Sequence, residues 1–287
     1  MKMLKDSFGF LLYKIGRLFP FDHTTKVLSL YCHRPSVTFF ESLILWLREN
    51  GFRLISLTEL EKLLEEGIAK DKCVVITLDD AHISNNELLP SIEKYKVPVT
   101  IFAPVDPLYE GSYWWDYVYA NTEGMKAKHL LRKWKMMDVS SFDVMMADLR
   151  SQISVPRTSM TVEELQKAAN VKTIEIGAHT VSHPILTQCE DERIRMELEG
   201  GRSRLYEIIG KQIKYLAYPN GNYSEKIKLM ARSSGYKLAF TVEQRLIDLK
   251  TDDWLALPRF ALNEEGGRFE NLARVMGTWQ KFFFWKF

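Results

Sequence analysis

Two adjacent carboxylates that follow an apolar run are the residues best suited to chemistry. Residues 73–78 read CVVITL, and Asp79 and Asp80 follow directly. An apolar, β-branched run of this length is typical of a buried strand in a parallel sheet. Adjacent residues at a strand end point in different directions, so one carboxylate can hold a metal ion while its neighbour faces a substrate.

Two histidines four residues apart form a second group. His179 and His183 come shortly after another apolar run, IEIG at 174–177. Their spacing predicts that both imidazoles lie on one face of a helical turn. One Asp with two His is a common set of three protein ligands for a divalent ion, which leaves open positions for water and substrate. The sequence therefore predicts a metal centre built from two distant segments.

These segments carry a resemblance to a known family. TLDDA at 77–81 and HTVSH at 179–183 resemble the TFDDG and H-S/T-x-x-H motifs of the polysaccharide deacetylases, the NodB-homology domain of carbohydrate esterase family 4. The resemblance runs from about residue 27 to about residue 279 and includes AYPNG at 217–221 and LPRF at 257–260. It implies a distorted (β/α)7-8 barrel with its catalytic loops at the C-terminal ends of the strands.

The resemblance also implies roles for the first two groups. Asp80, His179 and His183 are the expected metal ligands, and zinc is the default ion, although Co²⁺ or Ni²⁺ would fit the same ligand set. Asp79 is the expected general base, because a nearby cation lowers its pKa and leaves it ionised to accept a proton from water. The alternative is a strand-end carboxylate that caps the following loop.

The resemblance assigns the general acid less directly. The family's usual acid is a histidine in a late L-x-x-H-D motif, and no histidine follows His183. Some relatives use the histidine of an N-terminal Y-H motif, which YCHR at 31–34 resembles with one extra residue. The resemblance thus implies His33, unless the inserted Cys32 turns its side chain away. His82 is the rival, two residues after Asp80.

Two of the motifs depart from the family pattern. The family takes an oxyanion donor from a backbone N–H of an R-x-P-Y motif, which corresponds here to Asn220, but the motif's arginine is missing. Arg259 is expected either to orient Asp79 in its place or to form a surface ion pair. Ala81 stands where the family has glycine, and a positive φ there would strain alanine by about 1 kcal/mol or more.

Residues 104–172 are far longer than one barrel connection, so we expect a helical insertion there. This segment contains Trp114 and Trp115, followed by a Lys- and Met-rich helical stretch at 125–149. The tryptophan pair either stacks on a sugar ring or anchors the insertion to the barrel. Together with Tyr218 of the AYPNG motif, these two residues are the candidate substrate-binding residues.

The composition fits one large domain. Hydrophobic residues make up 46% of the 287 residues, and no window reaches the length of a transmembrane span. The 39 Lys and Arg balance 37 Asp and Glu, so charge gives no argument for nucleic acid as a partner. Three widely spaced cysteines without a C-x-x-C motif indicate a reduced, cytoplasmic setting.

Strand-like and helix-like segments alternate along the chain, which favours one α/β barrel domain over residues 1–287 with a core at about 22–278. Strands are predicted at 27–31, 52–55, 73–78, 97–102, 174–177, 214–218, 237–241 and 255–260. Helices are predicted at 39–50, 58–66, 85–95, 190–209 and 224–234.

Both chain ends combine apolar and basic residues. Within residues 1–21, Lys14 and Arg17 interrupt the apolar part and no small-residue cleavage site follows, so we expect a basic amphipathic helix and not a secretory signal. Its apolar stripe either packs on the barrel or joins the aromatic tail at 279–287 in a membrane-facing patch. The second alternative places the protein peripherally on the inner membrane face.

These features predict a hydrolase that removes an N-acetyl group from an amino sugar in a polysaccharide or glycan precursor. The same site would also support deformylation of a formamido sugar or O-deacetylation. Ala81 and the missing late histidine leave open a third alternative, a glycan-binding relative without catalysis.

Overall fold

The computed structural model describes residues 2–18 and 23–283, and these form one curled, mainly parallel sheet. Its strands are β1 (Lys26–Cys32), β2 (Phe52–Leu54), β3 (Lys72–Leu78), β4 (Val99–Ala103), β5 (Ile174–Ala178), β6 (Tyr215–Ala217), β7 (Leu238–Phe240), β8 (Ile247–Asp248) and β9 (Phe260–Ala261). The main order is β7-β6-β5-β4-β3-β1-β8, with β2 beside β3 and β9 beside β1. Only β8 runs antiparallel to its neighbour among these pairs.

Thirteen α-helices surround this sheet or belong to the insertion within the described residues. They are α1 (Lys2–Leu18), α2 (Val37–Glu49), α3 (Leu57–Glu66), α4 (Leu89–Tyr95), α5 (Val105–Glu110), α6 (Trp114–Asn121), α7 (Gly124–Lys135), α8 (Val139–Gln152), α9 (Val162–Asn170), α10 (Asp191–Ile209), α11 (Glu225–Ser233), α12 (Arg268–Val275) and α13 (Thr278–Phe283). None of the described helices is long and apolar enough to cross a membrane.

The sheet is buried on both faces, which explains the unbroken apolar run of β3. Val74, Ile76 and Leu78 belong to the core between sheet and helices. Cys73 and Val75 belong to a second core inside the curled sheet. Since side chains alternate along a strand, this register directs residue 79 toward the inside of the curl. The expected mixed α/β fold with a distorted, incompletely regular barrel is confirmed.

The two ends of the curled sheet approach each other through one late segment. Phe240 at the end of β7 forms an isolated parallel bridge with Leu257, and three residues later β9 pairs with β1. The predicted strand at 255–260 is therefore wrong as a continuous strand, because only residues 260–261 form one. Arg259 lies between the bridge at Leu257 and the start of β9, and its side chain is fully buried in the interior of the curled sheet.

The helical insertion has a small core of its own. Trp114, Tyr117, Val118, Ala127 and Met146 are buried against one another. The predicted helical stretch at 125–149 consists of two helices, because α7 ends at Lys135 and Asp138 caps the start of α8 by accepting a hydrogen bond from the Ser141 N–H.

The N-terminal helix packs on the two last helices of the described chain. Leu12 and Tyr13 are buried, and the Asp6 carboxylate accepts hydrogen bonds from two N–H groups at the start of α12. The expected single apolar stripe facing the barrel is only partly right, because Leu4 and Leu11 are 77% and 55% exposed. Part of the predicted helix, at 19–21, and the tail at 284–287 lie outside the described residues.

Candidate active site

Asp80, His179 and His183 converge at the C-terminal ends of β3 and β5. The Nε2 atoms of the two histidines lie 3.1 Å apart, and each is 3.4 Å from Asp80 Oδ1. Among the described residues, these three form the one buried group of His, Cys, Asp and Glu side chains able to share an ion. Tetrahedral bonds of about 2.0–2.1 Å would separate ligand atoms by about 3.3 Å, so these donors fit a zinc-like ion.

The predicted helical turn between the histidines is wrong. Residues 179–183 form a loop in which Thr180 and His183 have positive φ angles of 68° and 61°. The same conformation recurs at Asp80 and Ala81, with φ of 73° and 50°. Non-glycine residues adopt this conformation at a cost, and residues held in it are enriched at active sites. Both ligand segments thus turn sharply where they leave their strands, and this directs three side chains to one point.

A buried carboxylate from α10 holds the histidine loop. Glu197, which is fully buried, accepts hydrogen bonds from the N–H groups of Val181 and Ser182 and from the Ser182 hydroxyl. Arg193 Nε also donates to the Glu197 carboxylate, at 2.8 Å. Glu197 thus pairs the backbone N–H groups of this loop. Without such a partner, the buried N–H groups would cost free energy.

A hydrogen bond at Nδ1 leaves the Nε2 atom of His179 available as a ligand. His179 Nδ1 lies 2.7 Å from the carbonyl oxygen of Ala217, so Nδ1 carries the proton. Burial lowers the pKa of His183, which favours the neutral imidazole that binds metals. Burial alone would raise the pKa of Asp80, but hydrogen bonds with His179 and His183 lower it well below its usual value.

Asp79, which lines the same pocket, pairs with Arg259. Arg259 Nη1 and Nη2 lie 2.7 and 2.8 Å from the two carboxylate oxygens, and both side chains are buried. Arg259 also donates to the Thr77 hydroxyl and the Thr241 carbonyl oxygen. Burial opposes ionisation of Asp79, yet the Arg259 charge holds the pKa of the carboxyl below its ordinary value. The geometry is that of the predicted orienting arginine, not of a surface ion pair.

Two further histidines line the same pocket. Glu264 accepts hydrogen bonds from the N–H groups of His33 and Arg34, and its carboxylate lies 3.8 Å from His33 Nδ1. Desolvation lowers the pKa of His33, but Glu264 and the carboxylates of the site outweigh it and raise this pKa to about 9. Cys32 is buried and does not turn His33 out of the pocket. His82 instead accepts a hydrogen bond from the Ser84 N–H, and burial lowers its pKa.

The pocket has a volume of about 500 Å³ and combines barrel and insertion residues. Asn220 lines it in a left-handed conformation with φ of 56°. Tyr218 also lines it, but its hydroxyl donates to the Leu255 carbonyl oxygen and its ring stacks on Tyr223.

The two tryptophans differ in their surroundings. Trp114 is 7% exposed and packs against Phe142 and Trp134 of the insertion, so it belongs to the insertion's own core. Trp115 stacks on Tyr113 with ring centroids 4.5 Å apart and meets the edge of His183 at 5.0 Å. Trp115 therefore lies beside His183, one of the three candidate metal-binding residues, where its ring lines the pocket.

Sequence reasoning missed three residues of the site. The Tyr113 hydroxyl donates to the backbone carbonyl of Asp80, Glu264 approaches His33, and Lys135 of α7 donates to Asn220 Oδ1 at 2.5 Å. Tyr113 and Lys135 lie in the insertion, and Glu264 follows the last strand, so no motif marked them. The only sequence feature that could have suggested Glu264 and Lys135 is that both are charged.

The comparison with known proteins agrees with this geometry. The family model for polysaccharide deacetylase matches residues 66–239, and the chain therefore belongs to that family, whose members act on sugar acetyl groups. Among curated protein sequences none matches this chain.

Solved structures share the fold at low identity. The deacetylase PplD of Streptococcus pyogenes, solved in complex with acetate, is 18% identical, and the match covers 88% of this chain and 99% of that chain with a TM-score of 0.66. IcaB from Ammonifex degensii is 19% identical over 88% of this chain and 97% of that one, with a TM-score of 0.61. A polysaccharide deacetylase from Bacillus cereus is 18% identical over 88% and 69%, with a TM-score of 0.62.

Proposed function

We propose that this protein is a divalent-metal-dependent hydrolase that removes an N-acetyl group from an amino sugar of a glycan or glycan precursor. The observation that carries the proposal is the convergence of Asp80, His179 and His183 beside the buried Asp79–Arg259 pair. The family match supports deacetylation of a sugar as the class of reaction.

Asp79 acts as the general base in this proposal. Its low pKa keeps it ionised near neutral pH, and Arg259 fixes both carboxylate oxygens in one plane. Asp79 accepts a proton from the water that attacks the acetyl carbonyl carbon, and general-base catalysis of this kind contributes about 10²–10⁴-fold in rate.

His33 acts as the general acid and Asn220 contributes to the oxyanion site. With a pKa of about 9, His33 is protonated at neutral pH and donates its proton to the departing amine nitrogen. The Asn220 backbone N–H donates to the oxygen of the former carbonyl as charge develops there. The C–N bond breaks, and the products are acetate and a free amine.

Asp80, His179 and His183 would hold the ion, with Zn²⁺ proposed on the basis of ligand type and Co²⁺ or Ni²⁺ as substitutes. A divalent ion there would supply a Lewis acid that polarises the acyl carbonyl and lowers the pKa of water.

The direct test is product analysis with purified protein and N-acetylglucosamine oligomers. Wild type with zinc is expected to release acetate, and Asp79→Asn is expected to release at least 100-fold less, in line with loss of a general base. Formate from a formamido sugar, or acetate from an O-acetyl sugar with none from the N-acetyl oligomers, would move the proposal to deformylation or O-deacetylation. Sugar binding with no product at any zinc loading would leave a glycan-binding protein.

We also propose that the N-terminal helix contacts an anionic membrane surface, which would place the enzyme near lipid-linked glycans on the cytoplasmic side. Support comes from α1, where Leu4, Leu11 and Leu18 are exposed on one side. Lys5, Lys14 and Arg17 on the same helix are exposed and basic. Exposed apolar and cationic groups on one helix are typical of interfacial binding.

A further inference from the structure

Lys135 brings a positive charge from the insertion into the active-site pocket. It is the last residue of α7, and Leu131, one turn earlier on the same helix, also lines the pocket. The Lys135 ammonium donates to the side-chain oxygen of Asn220, the residue whose backbone N–H is the proposed oxyanion donor. The insertion therefore forms a wall of the pocket and places a cation opposite the barrel loops.

The carboxylates of the pocket already have other partners. Asp79 pairs with Arg259, and Asp80 lies with the two histidines. Asp116 accepts hydrogen bonds from the Tyr113 N–H and the Thr158 hydroxyl, and Glu264 accepts from the His33 and Arg34 N–H groups.

Among the described residues, no carboxylate lies within 4.0 Å of the Lys135 ammonium. Its hydrogen-bond partner is the neutral side-chain amide of Asn220.

The electrostatic surroundings of Lys135 make this lack of a carboxylate costly. Partial burial lowers its pKa, and the negative charge of Asp80 offsets part of that effect. Once Asp80 binds a divalent cation, as the proposed function requires, this compensation is lost. A partly buried cation without a counter-charge costs free energy, and an anion brought by a ligand removes the cost.

We propose that Lys135 binds an anionic substituent, a carboxylate or a phosphate, on the substrate, so that the enzyme prefers an acidic N-acetylated glycan to a neutral one. This inference rests on the proposed function, because only that function makes the bound glycan a substrate. The binding preference itself can be measured without turnover. A role limited to hydrogen bonding with Asn220 would not need a charge, because a neutral amide donor would be sufficient.

The matched variants separate charge from hydrogen bonding. Lys135→Gln keeps an N–H donor for Asn220 and removes the charge, whereas Lys135→Arg keeps the charge. Lys133→Gln removes an exposed charge from the same helix and serves as the control. The probes are chitobiose in its di-N-acetylated form as the neutral ligand, a hyaluronan tetrasaccharide as the carboxylate ligand, and N-acetylglucosamine 6-phosphate as the phosphate ligand.

Calorimetric Kd values for each probe decide the proposal. The wild type, Lys135→Arg and Lys133→Gln proteins are expected to bind at least one acidic probe about 10–100-fold more tightly than Lys135→Gln does, the usual range for a charge-assisted hydrogen bond. The neutral probe is expected to change less than about twofold. The probe that shows the effect distinguishes carboxylate from phosphate.

Two results would overturn the proposal. One is an equal loss of affinity for neutral and acidic probes in Lys135→Gln, which would mean that Lys135 acts only through Asn220. The other is no preference of the wild type for either acidic probe. Acetate release is measured in parallel, and its absence with every probe would count against the proposed function without changing the outcome of the binding comparison.

Discussion

Asp79 and Asp80 are neighbours in sequence with different surroundings, and this difference carries the proposed division of labour. Asp80 faces two histidines, while Asp79 faces a fully buried guanidinium. One carboxylate is thus suited to hold an ion and the other to accept a proton. This separation follows from the end of β3 at Leu78, just before the two residues, and from the left-handed backbone at Asp80.

We expect Asp79→Asn to lose turnover and keep its metal. The amide cannot act as a base, so kcat should fall by about 10²–10⁴-fold. The variant should also be less stable, because Arg259 stays buried without its counter-charge. Turnover is measured by acetate release, metal by elemental analysis, and folding by circular dichroism. A folded Asp79→Asn protein with wild-type turnover would exclude Asp79 as the base.

The alkaline side of the pH profile should report on His33. A general acid works only when protonated, so kcat/KM should decline as pH rises through about 9, the raised pKa of His33. Glu264 raises this pKa, so in Glu264→Gln the decline should begin at lower pH. By the same linkage, the stability gained from the His33–Glu264 contact is complete below the unfolded pKa of about 6.5 and is lost as pH rises through about 9.

His82 provides the control for this assignment. His82→Ala should keep the alkaline decline, because its ring nitrogen already caps the following turn through Ser84. If activity survives in His33→Ala but not in His82→Ala, the general acid is His82.

At this scale, the sequence was enough to select Asp79, Asp80, His179 and His183, because each pair stands in a short motif at the end of an apolar run. Arg259 could be proposed only from its position near a strand end. Lys135 and Glu264 were beyond reach, since each approaches the pocket from a segment whose path no periodicity or turn signal predicts. The backbone between the histidines was misjudged because i, i+4 spacing is necessary for a helical face but does not establish a helix.

At the scale of elements, the histidine loop depends on α10. Glu197 satisfies two N–H groups and a hydroxyl of this loop, and Gly201 lets the helix approach closely, since a Cβ there would lie 3.1 Å from the Thr180 backbone. The helix thus fixes the loop that carries His183 without supplying a ligand to the proposed ion. We regard Glu197 as a positioning residue.

Glu197→Gln should therefore weaken metal binding. The amide cannot accept the same three charge-assisted hydrogen bonds, and loss of such support typically reduces metal affinity about 10–100-fold. Zinc affinity is measured by competition with a chelator, and Glu199→Gln, an exposed change on the same helix, is the matched control. Equal zinc affinities in the two variants would remove Glu197 from this role.

Element prediction succeeded where hydrophobic patterns were long or capped. The helix predicted at 58–66 is α3, and Ser56 caps its first turn in a reciprocal arrangement with Glu59. The two-residue strands β8 and β9 are too short to produce a pattern of their own. The helix α12 was also missed, because its first turn is stabilised by Asp6 from the other end of the chain.

At the scale of the whole molecule, the N-terminal helix and the last described helices form one layer. Phe8 contacts Trp279, Phe282 and Phe283 with ring centroids 4.9–6.4 Å apart. This layer leaves an exposed apolar side on α1, formed by Leu4, Leu11, Ile15 and Leu18.

We expect the intact protein to co-sediment with phosphatidylglycerol vesicles at low salt. Leu11→Glu combined with Ile15→Glu should abolish binding, because it places two negative charges on the exposed apolar side of α1. Leu229→Glu changes an exposed leucine of α11 and should bind like the wild type. Wild-type protein that stays in the supernatant would contradict the membrane proposal and leave the catalytic one intact.

The central claim is that Asp80, His179 and His183 hold a divalent ion, and its most direct test is elemental analysis after zinc loading and dialysis. The account predicts one zinc ion per wild-type chain and none in a folded Asp80→Ala variant. Folded wild-type protein that retains no ion, even after loading with zinc, cobalt or nickel, would contradict it.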